Sequence, residues 1–232
     1  MFLGIDGCPG GWYAVSTPAT HGQIAGKVYP RFSDVLAGVG PDAVIAVDIP
    51  IGLRGAGSRP CDELVRKALA PKRSSSVFPA PIRPVLGAAY HQEASTIRRG
   101  IDGKGMSIQS FAITRKVQEV DLALEQASDR DQCVYEVHPE LCFAMLNHGQ
   151  PMTFAKKKAL GRSERLHLLG QTFGDAPARL VSERPRSQVG ADDVLDAFVA
   201  LWSAMRISRG EHASLPVVPD HDARGRRMAI FY

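Results

Sequence analysis

The chain has 232 residues, of which 44% are hydrophobic and 22% are charged, and its formal net charge at pH 7 is +4. This composition is typical of a globular protein that is large enough to bury a sizeable core. No stretch approaches the roughly 20 apolar residues of a membrane span, and no basic leader follows Met1. We therefore expect a cytoplasmic protein without a membrane partner. The four cysteines show no CxxC spacing, so neither a zinc site nor a disulfide framework is predicted.

Positive charge is concentrated in one part of the chain. Between Arg54 and Lys116 there are twelve lysines and arginines but four acids. Such a bias favours an anionic partner. A solvated basic surface without any ligand would have the same composition, and the charge count does not separate these two readings.

The first predicted elements form a β-hairpin. Residues 2–6 and 11–16 are strand-like and flank a turn rich in glycine and proline. A third strand is predicted over 23–31 and a short helix over 33–36. Residues 43–47 form a continuous apolar run that is too short for a helix and is typical of a strand buried on both faces.

The remaining pattern predicts a long insertion followed by helices and one more strand. Residues 54–105 are rich in Arg, Pro, Gly and Ser, and are interpreted as a basic insertion or flap within a single domain spanning 1–232. The predicted elements are a helix at 62–70, a helix at 108–126, a strand at 132–137, and helices at 141–146, 154–169 and after Gly190. The C-terminal residues 228–232 fit an edge strand or a contact with a second subunit, which leaves a homodimer open.

Carboxylates occur where the predicted strands end. Asp6 ends the first strand and Asp48 ends the buried strand, and ligands usually bind at the strand ends of open α/β sheets. Glu136 lies at the end of a later strand, and Asp193 and Asp196 are three residues apart on one side of the last predicted helix. These five acids are the predicted catalytic set.

Several carboxylates that come from separate elements are typical of a Mg²⁺ or Mn²⁺ site. Hard cations prefer oxygen ligands, and two such ions can activate water and stabilise a leaving oxygen. Clustered acids without a cation repel one another, so such clusters are rarely structural.

Each acid also has a structural alternative. Asp6 could cap the turn at Gly7, Asp48 could accept backbone hydrogen bonds, and Glu136 could pair with a lysine or arginine. Asp193 could be a first-turn acid of its helix. Asp196 is harder to explain in this way, because it lies a full turn into the helix.

A set of motifs in chain order resembles one protein family. The segments are GIDGCPGGW, DIPIGL, RPCDELVRKAL, SSVFPAPIRP, SIQSFAITRKVQEVD, YEVHPELCFAML, KKKALGRSERLHLL, DDVLDAFVA and DARGRRMAIFY. They resemble the predicted RNase H-like nucleases catalogued as domain of unknown function 429, over nearly the whole chain. The resemblance implies an α/β, ribonuclease H-like fold with a mixed five-stranded sheet flanked by helices and a basic insertion after the fourth strand.

The last predicted helix also resembles the terminal helix of Holliday-junction resolvases of the same superfamily, which carries two metal-binding aspartates three residues apart. This resemblance implies that Asp6, Asp48, Asp193 and Asp196 are the metal ligands. It assigns no counterpart to Glu136. The long insertion at 54–105 departs from a minimal resolvase, so it does not favour a junction-type substrate.

The leading functional hypothesis is a divalent-metal-dependent nuclease that cleaves DNA or RNA by two-metal-ion hydrolysis. Basic side chains would neutralise backbone phosphates. The expected substrate-binding residues are Arg59, Arg66, Lys67, Arg73, Arg83, Lys116, His138 and Lys156. Two alternatives stay open: an ATP- or phospho-metabolite-binding, kinase-like member of the same superfamily, and a non-catalytic nucleic-acid-binding protein.

Overall fold

The computed structural model describes residues 1–20 and 22–232 and contains a mixed five-stranded sheet in the order β3-β2-β1-β4-β5. The strands are β1 (Phe2–Cys8), β2 (Gly11–Thr17), β3 (Ala25–Tyr29), β4 (Val44–Val47) and β5 (Val134–Glu136). Strand β2 is antiparallel to β1 and β3, whereas β4 and β5 run parallel to β1. The predicted hairpin, buried strand and mixed sheet are therefore confirmed.

Helices cover both faces of this sheet. The α-helices in the described ranges are α1 (Phe32–Ala37), α2 (Pro60–Ala68), α3 (His91–Asp102), α4 (Ile108–Ala112), α5 (Thr114–Gln126), α6 (Pro139–Leu146), α7 (Ala159–Phe173), α8 (Ala176–Glu183) and α9 (Ala191–Ser208). Apolar residues of α6 to α9 pack on one face of the sheet, and those of α1 and α5 pack on the other. None of these described helices is both long and apolar enough to cross a membrane.

Helix α9 packs unusually close to β1, and a glycine makes this approach possible. A Cβ placed on Gly4 would lie 1.9 Å from the backbone nitrogen of Leu201 and 2.1 Å from the carbonyl oxygen of Ala197. Any larger side chain would therefore overlap the helix backbone. This contact determines the position of α9 relative to the end of β1.

The insertion at 54–105 is packed against the end of the chain. Strands β6 (Ser214–His221) and β7 (Arg227–Phe231) form a two-stranded antiparallel sheet, and a bridge from Val137 to Phe231 continues it beside β5. Residues of α2 share a small apolar core with β7 and α6. The C-terminal residues thus form a strand within this chain, one of the two roles predicted for them.

Four helical features differ from the sequence prediction. The helix predicted over 154–169 begins at Ala159 and ends at Phe173, so residues 154–158 lie before it. Helix α3, which is mostly polar with Ala94 as its buried residue, was not predicted. The predicted helix at 108–126 is divided at Ile113 into α4 and α5. Helix α8 was also not predicted, and it packs its few apolar residues against the α9 side of the sheet.

Candidate functional site

Asp6 and Asp48 lie side by side at one edge of the sheet. Strands β1 and β4 are parallel neighbours in which Ile5 is opposite Val47, so the next residue of each chain segment is an aspartate. The Asp48 amide donates a hydrogen bond to the Ile5 carbonyl at 3.0 Å, which keeps the two segments together. The Asp6 carboxylate accepts a hydrogen bond from the Gly7 amide at 2.8 Å, the turn-capping contact predicted as its alternative role. For the Asp48 carboxylate, the described chain supplies no hydrogen-bond donor.

Helix α9 brings Asp196 to the same place. Because Gly4 lets the helix lie directly on β1, Asp196 is buried against the strand end and is 1% exposed. Asp193 lies one turn earlier, where its Oδ2 accepts a hydrogen bond from the Gly190 amide at 2.8 Å. Asp193 thus caps its own helix, which was its structural alternative, while it still contributes negative charge near Asp196.

Asp6, Asp48 and Asp196 repel one another at this edge of the sheet. Burial raises the pKa of Asp6 well above its usual value, and the neighbouring charges of Asp48 and Asp196 raise this pKa further. Burial, followed by the charge of Asp196, raises the pKa of Asp48 to about 7. We call Asp6, Asp48 and Asp196 the acid cluster.

Lys156 is the cation in contact with the acid cluster. Its Nζ lies 2.5 Å from Asp196 Oδ2. The charge of Asp196 raises the pKa of Lys156, and Asp6 and Asp48 add to this effect. One ammonium therefore faces three carboxylates, which leaves excess negative charge at the strand ends whenever the three acids are ionised.

Two members of the acid cluster, Asp6 and Asp48, line a cleft of about 630 Å³. Asp6, Asp48 and Lys156 line this cleft, together with Arg73, Lys116, Lys157, His138 and Glu140. Burial lowers the pKa of His138, which favours a neutral imidazole, and its buried Nδ1 has no hydrogen-bond partner among the described residues. The cleft thus combines acids, bases and one neutral histidine within a volume that suits a small ligand or one unit of a polymer.

The donor chemistry of this site fits a hard divalent cation, although the side chains do not enclose one. In the part of the chain that the structure describes, no three His, Cys, Asp or Glu side chains converge closely enough to hold an ion. Carboxylate oxygens are nevertheless the ligands that Mg²⁺ and Mn²⁺ prefer. A further oxygen, Glu140 Oε2, is buried beside the cleft without a hydrogen-bond partner in the described ranges. One such carboxylate oxygen, Asp196 Oδ2, is in contact with the Lys156 ammonium.

Glu136 does not join the acid cluster. Its two carboxylate oxygens accept hydrogen bonds from Arg59 at 2.8 and 2.7 Å, and Oε2 also accepts one from the Ile51 amide at 2.7 Å. Arg59 also bonds to Asp62, so one guanidinium holds two buried carboxylates. Burial raises the pKa of Glu136, and the Arg59 charge opposes that shift. Glu136 thus makes the arginine pairing predicted as its alternative role, and it also lines the cleft, so its catalytic role stays a prediction.

The predicted phosphate-binding residues fall into three groups. Arg59 lines the cleft but is 3% exposed and bound to Glu136, and Arg83 is bound to Asp121 and Asp222, so both guanidinium groups are already engaged within the protein. Arg66 and Lys67 are exposed on α2 outside the cleft lining. Besides Arg59, the predicted residues that line the cleft are Arg73, Lys116, His138 and Lys156.

Glu140 is a cleft residue that the sequence analysis missed. It lies in the first turn of α6, where an acid is common for helix stability alone, and this common pattern hid its position. In the structure Glu140 Oε1 accepts a hydrogen bond from the buried Arg165 at 2.5 Å, and the Glu140 charge contributes to the raised pKa of Asp48. The sequence signal that could have identified Glu140 as a cleft residue was its place directly after His138 and Pro139, just beyond the end of a strand.

Comparisons with known proteins give a family but no activity. A family model described as "Protein of unknown function (DUF429)" matches residues 4–221. Searches of the curated proteins and of the solved structures returned no significant match.

Proposed function

Because the chain belongs to the DUF429 family of proteins of unknown function, we propose from its site that it is a divalent-metal-dependent phosphodiesterase that acts on DNA or RNA. The observation that carries this proposal is the acid cluster: Asp6, Asp48 and Asp196 come from two parallel strands and a helix, and repel one another beside a cleft. Repulsion between buried carboxylates destabilises a fold unless a cation compensates for it. Such an arrangement is more typical of a functional site than of a structural one.

An RNase H-like fold is part of the same proposal. In support, the first three strands are antiparallel, β4 and β5 run parallel to β1, and α9 lies across β1. This is the element order expected for that fold from the sequence. The acids at the ends of β1 and β4 and on α9 are where the resemblance to resolvases assigns metal ligands.

Asp6, Asp48 and Asp196 would hold Mg²⁺ or Mn²⁺. A bound divalent ion would polarise the phosphodiester and lower the pKa of a water nucleophile. Glu140 Oε2 has no hydrogen-bond partner in the described ranges and lies 3.8 Å from Arg73 Nε, beside the cleft, where Glu140 could receive a proton or orient water.

The other cleft residues would bind the substrate. Arg73 and Lys116 would contact the phosphate, since both line the cleft. In the structure Arg73 Nε donates a hydrogen bond to the Met152 carbonyl and lies 3.8 Å from Glu140 Oε2, and Lys116 Nζ donates to the Gly11 carbonyl. His138 is kept neutral by burial and would exchange a proton with the substrate or with water.

Two measurements test this proposal. Addition of millimolar Mg²⁺ or Mn²⁺ should raise the melting temperature of the wild type, and Asp48→Asn and Asp196→Asn should each weaken that rise. The wild type and Asp6→Asn should then be incubated with duplex, branched and single-stranded DNA and RNA in the presence of Mn²⁺. Metal-dependent cleavage that disappears in Asp6→Asn supports the proposal. A melting curve that metal does not change, or cleavage that persists in Asp6→Asn, contradicts it.

A non-catalytic nucleic-acid-binding protein is the second candidate, and the contact between Lys156 and Asp196 favours it. That ion pair compensates part of the cluster charge without any metal. For this candidate, the wild type should bind nucleic acid equally well with EDTA and with Mn²⁺ and should cleave none of the substrates.

A further inference from the structure

The backbone next to Lys156 is held in place by hydrogen bonds to side chains of α7. The segment before α7 is held by Glu164, whose two carboxylate oxygens accept hydrogen bonds from the amides of Thr153 at 2.8 Å and Phe154 at 3.0 Å. Arg165, which is fully buried, donates to the Phe154 carbonyl at 3.1 Å. The backbone that carries Lys156 is therefore tied to the first turns of α7.

This segment also packs closely on its own helix. A Cβ on Gly161 would lie 2.1 Å from the carbonyl oxygen of Ala155. The residue immediately before Lys156 is thus pressed against α7, and the lysine side chain leaves a fixed point toward α9. Its ammonium reaches Asp196, a residue 40 positions further along the chain.

We propose that Lys156 is an internal counterion that occupies the acid cluster in the metal-free protein, competes with divalent cations for Asp196, and is released toward the cleft when a cation binds. This inference rests on the proposed function, because it concerns how the same cluster admits its metal. Its consequence is that Lys156 weakens metal binding rather than assisting it.

The competition follows from the contacts. Asp196 is nearly inaccessible to solvent, and Lys156 Nζ lies against its Oδ2. An ammonium and a divalent cation cannot both occupy the same point beside that oxygen, so a metal that uses Asp196 Oδ2 has to displace the lysine. Removal of the ammonium also leaves the three carboxylates uncompensated, which increases their attraction for any remaining cation.

The exchange needs only a side-chain movement. The Lys156 side chain is 37% exposed, and the cleft that it lines is open to solvent. Rotation of this side chain breaks none of the backbone contacts made by Glu164 and Arg165. The released ammonium would lie in the cleft beside Arg73 and Lys116, where it adds positive charge for an anionic substrate.

Mn²⁺ binding by calorimetry tests the inference with three proteins at the same pH and ionic strength. They are the wild type, Lys156→Met, and Lys158→Met as the control, because Lys158 is an exposed lysine two residues away that does not line the cleft. We expect Lys156→Met to bind Mn²⁺ about tenfold more tightly than the wild type, because the variant lacks the ammonium charge that competes with the cation for Asp196. Lys158→Met should bind like the wild type.

A labelling experiment on the wild type tests the same inference without a variant. Acetylation of lysines followed by peptide mass spectrometry should show Lys156 protected in EDTA and several-fold more reactive in saturating Mn²⁺. Lys158 should react equally under both conditions. This measurement also applies if Lys156→Met fails to fold.

The outcomes separate the inference from the proposed function. If the wild type binds Mn²⁺ and Lys156→Met binds it equally or more weakly, Lys156 is not a competitor, and the metal site itself remains supported. Unchanged labelling of Lys156 on metal binding overturns the inference in the same way. If neither the wild type nor a folded Lys156→Met binds Mn²⁺, the inference and the proposed function are both wrong.

Discussion

Replacement of Glu136 by glutamine tests whether this residue is structural or catalytic. The substitution keeps the size of the side chain and an oxygen that can accept the Ile51 amide, but it removes the charge that faces Arg59. Arg59 is then left with Asp62 as its counter-charge. Loss of one partner from a buried ion pair typically costs about 3–5 kcal/mol. Because Asp62 stays bound, we expect Glu136→Gln to lower the free energy of unfolding by about 2–3 kcal/mol.

Replacement of Arg59 by methionine should cost more. It leaves two carboxylates, Glu136 and Asp62, buried without a cation, so we expect a loss of about 4–5 kcal/mol. The double variant Glu136→Gln, Arg59→Met should lose less than the sum of the two single losses, because Glu136→Gln removes one of the two carboxylates that Arg59→Met leaves without a cation.

Urea unfolding followed by circular dichroism measures these differences. The control is Glu183→Gln, which breaks an exposed pair with Arg179 and should change the free energy of unfolding by less than about 0.5 kcal/mol. The metal response of Glu136→Gln should equal that of the wild type. A Glu136→Gln protein that is as stable as the wild type but loses its Mn²⁺-induced rise in melting temperature would refute the structural role.

Three further predictions concern the strand ends and the helices around them. In EDTA, the part of the free energy of unfolding that depends on Asp48 should fall by a few kcal/mol as pH rises from about 4 to about 7. The reason is that the folded-state pKa of Asp48, about 7, exceeds the ordinary value of 3.8, so the folded state binds the proton more tightly. Asp48→Asn should flatten this fall, and an unchanged pH profile in the variant would contradict the raised pKa. Gly4→Ala should destabilise the protein by about 3 kcal/mol or more through overlap with the α9 backbone, whereas Gly40→Ala, with open space around it, should change little in the same urea assay. Glu119→Ala should lower the free energy of unfolding by about 2–3 kcal/mol, because the Glu119 carboxylate accepts hydrogen bonds from the Trp12 side chain at 3.0 Å and the Phe32 amide at 2.6 Å. A changed tryptophan emission spectrum should accompany this loss of stability. Wild-type stability of the variant would show that these contacts contribute little.

Local patterns in the sequence were sufficient for most of the secondary structure. The apolar run at 43–47 predicted a buried strand, and the stripe after Gly190 predicted the helix that became α9. These predictions succeeded because hydrophobic periodicity is a property of neighbouring residues. Helix α3 is mostly polar with one buried residue, Ala94, and it was missed because it lies within 54–105, a segment interpreted from its composition as an insertion.

The positions of Asp6 and Asp48 could also be anticipated, since parallel strands end at a common edge and both aspartates follow directly after their strands. The charge partners of the acids could not be anticipated from the sequence. Glu136 is 77 positions from Arg59, and Lys156 is 40 positions from Asp196. Whether a carboxylate meets a guanidinium, an ammonium or solvent depends on how distant segments pack, and the composition of neither segment records it. The sequence by itself therefore determined which acids stand at the strand ends, whereas the tertiary structure decided which of them are already paired and which remain in excess at the cleft.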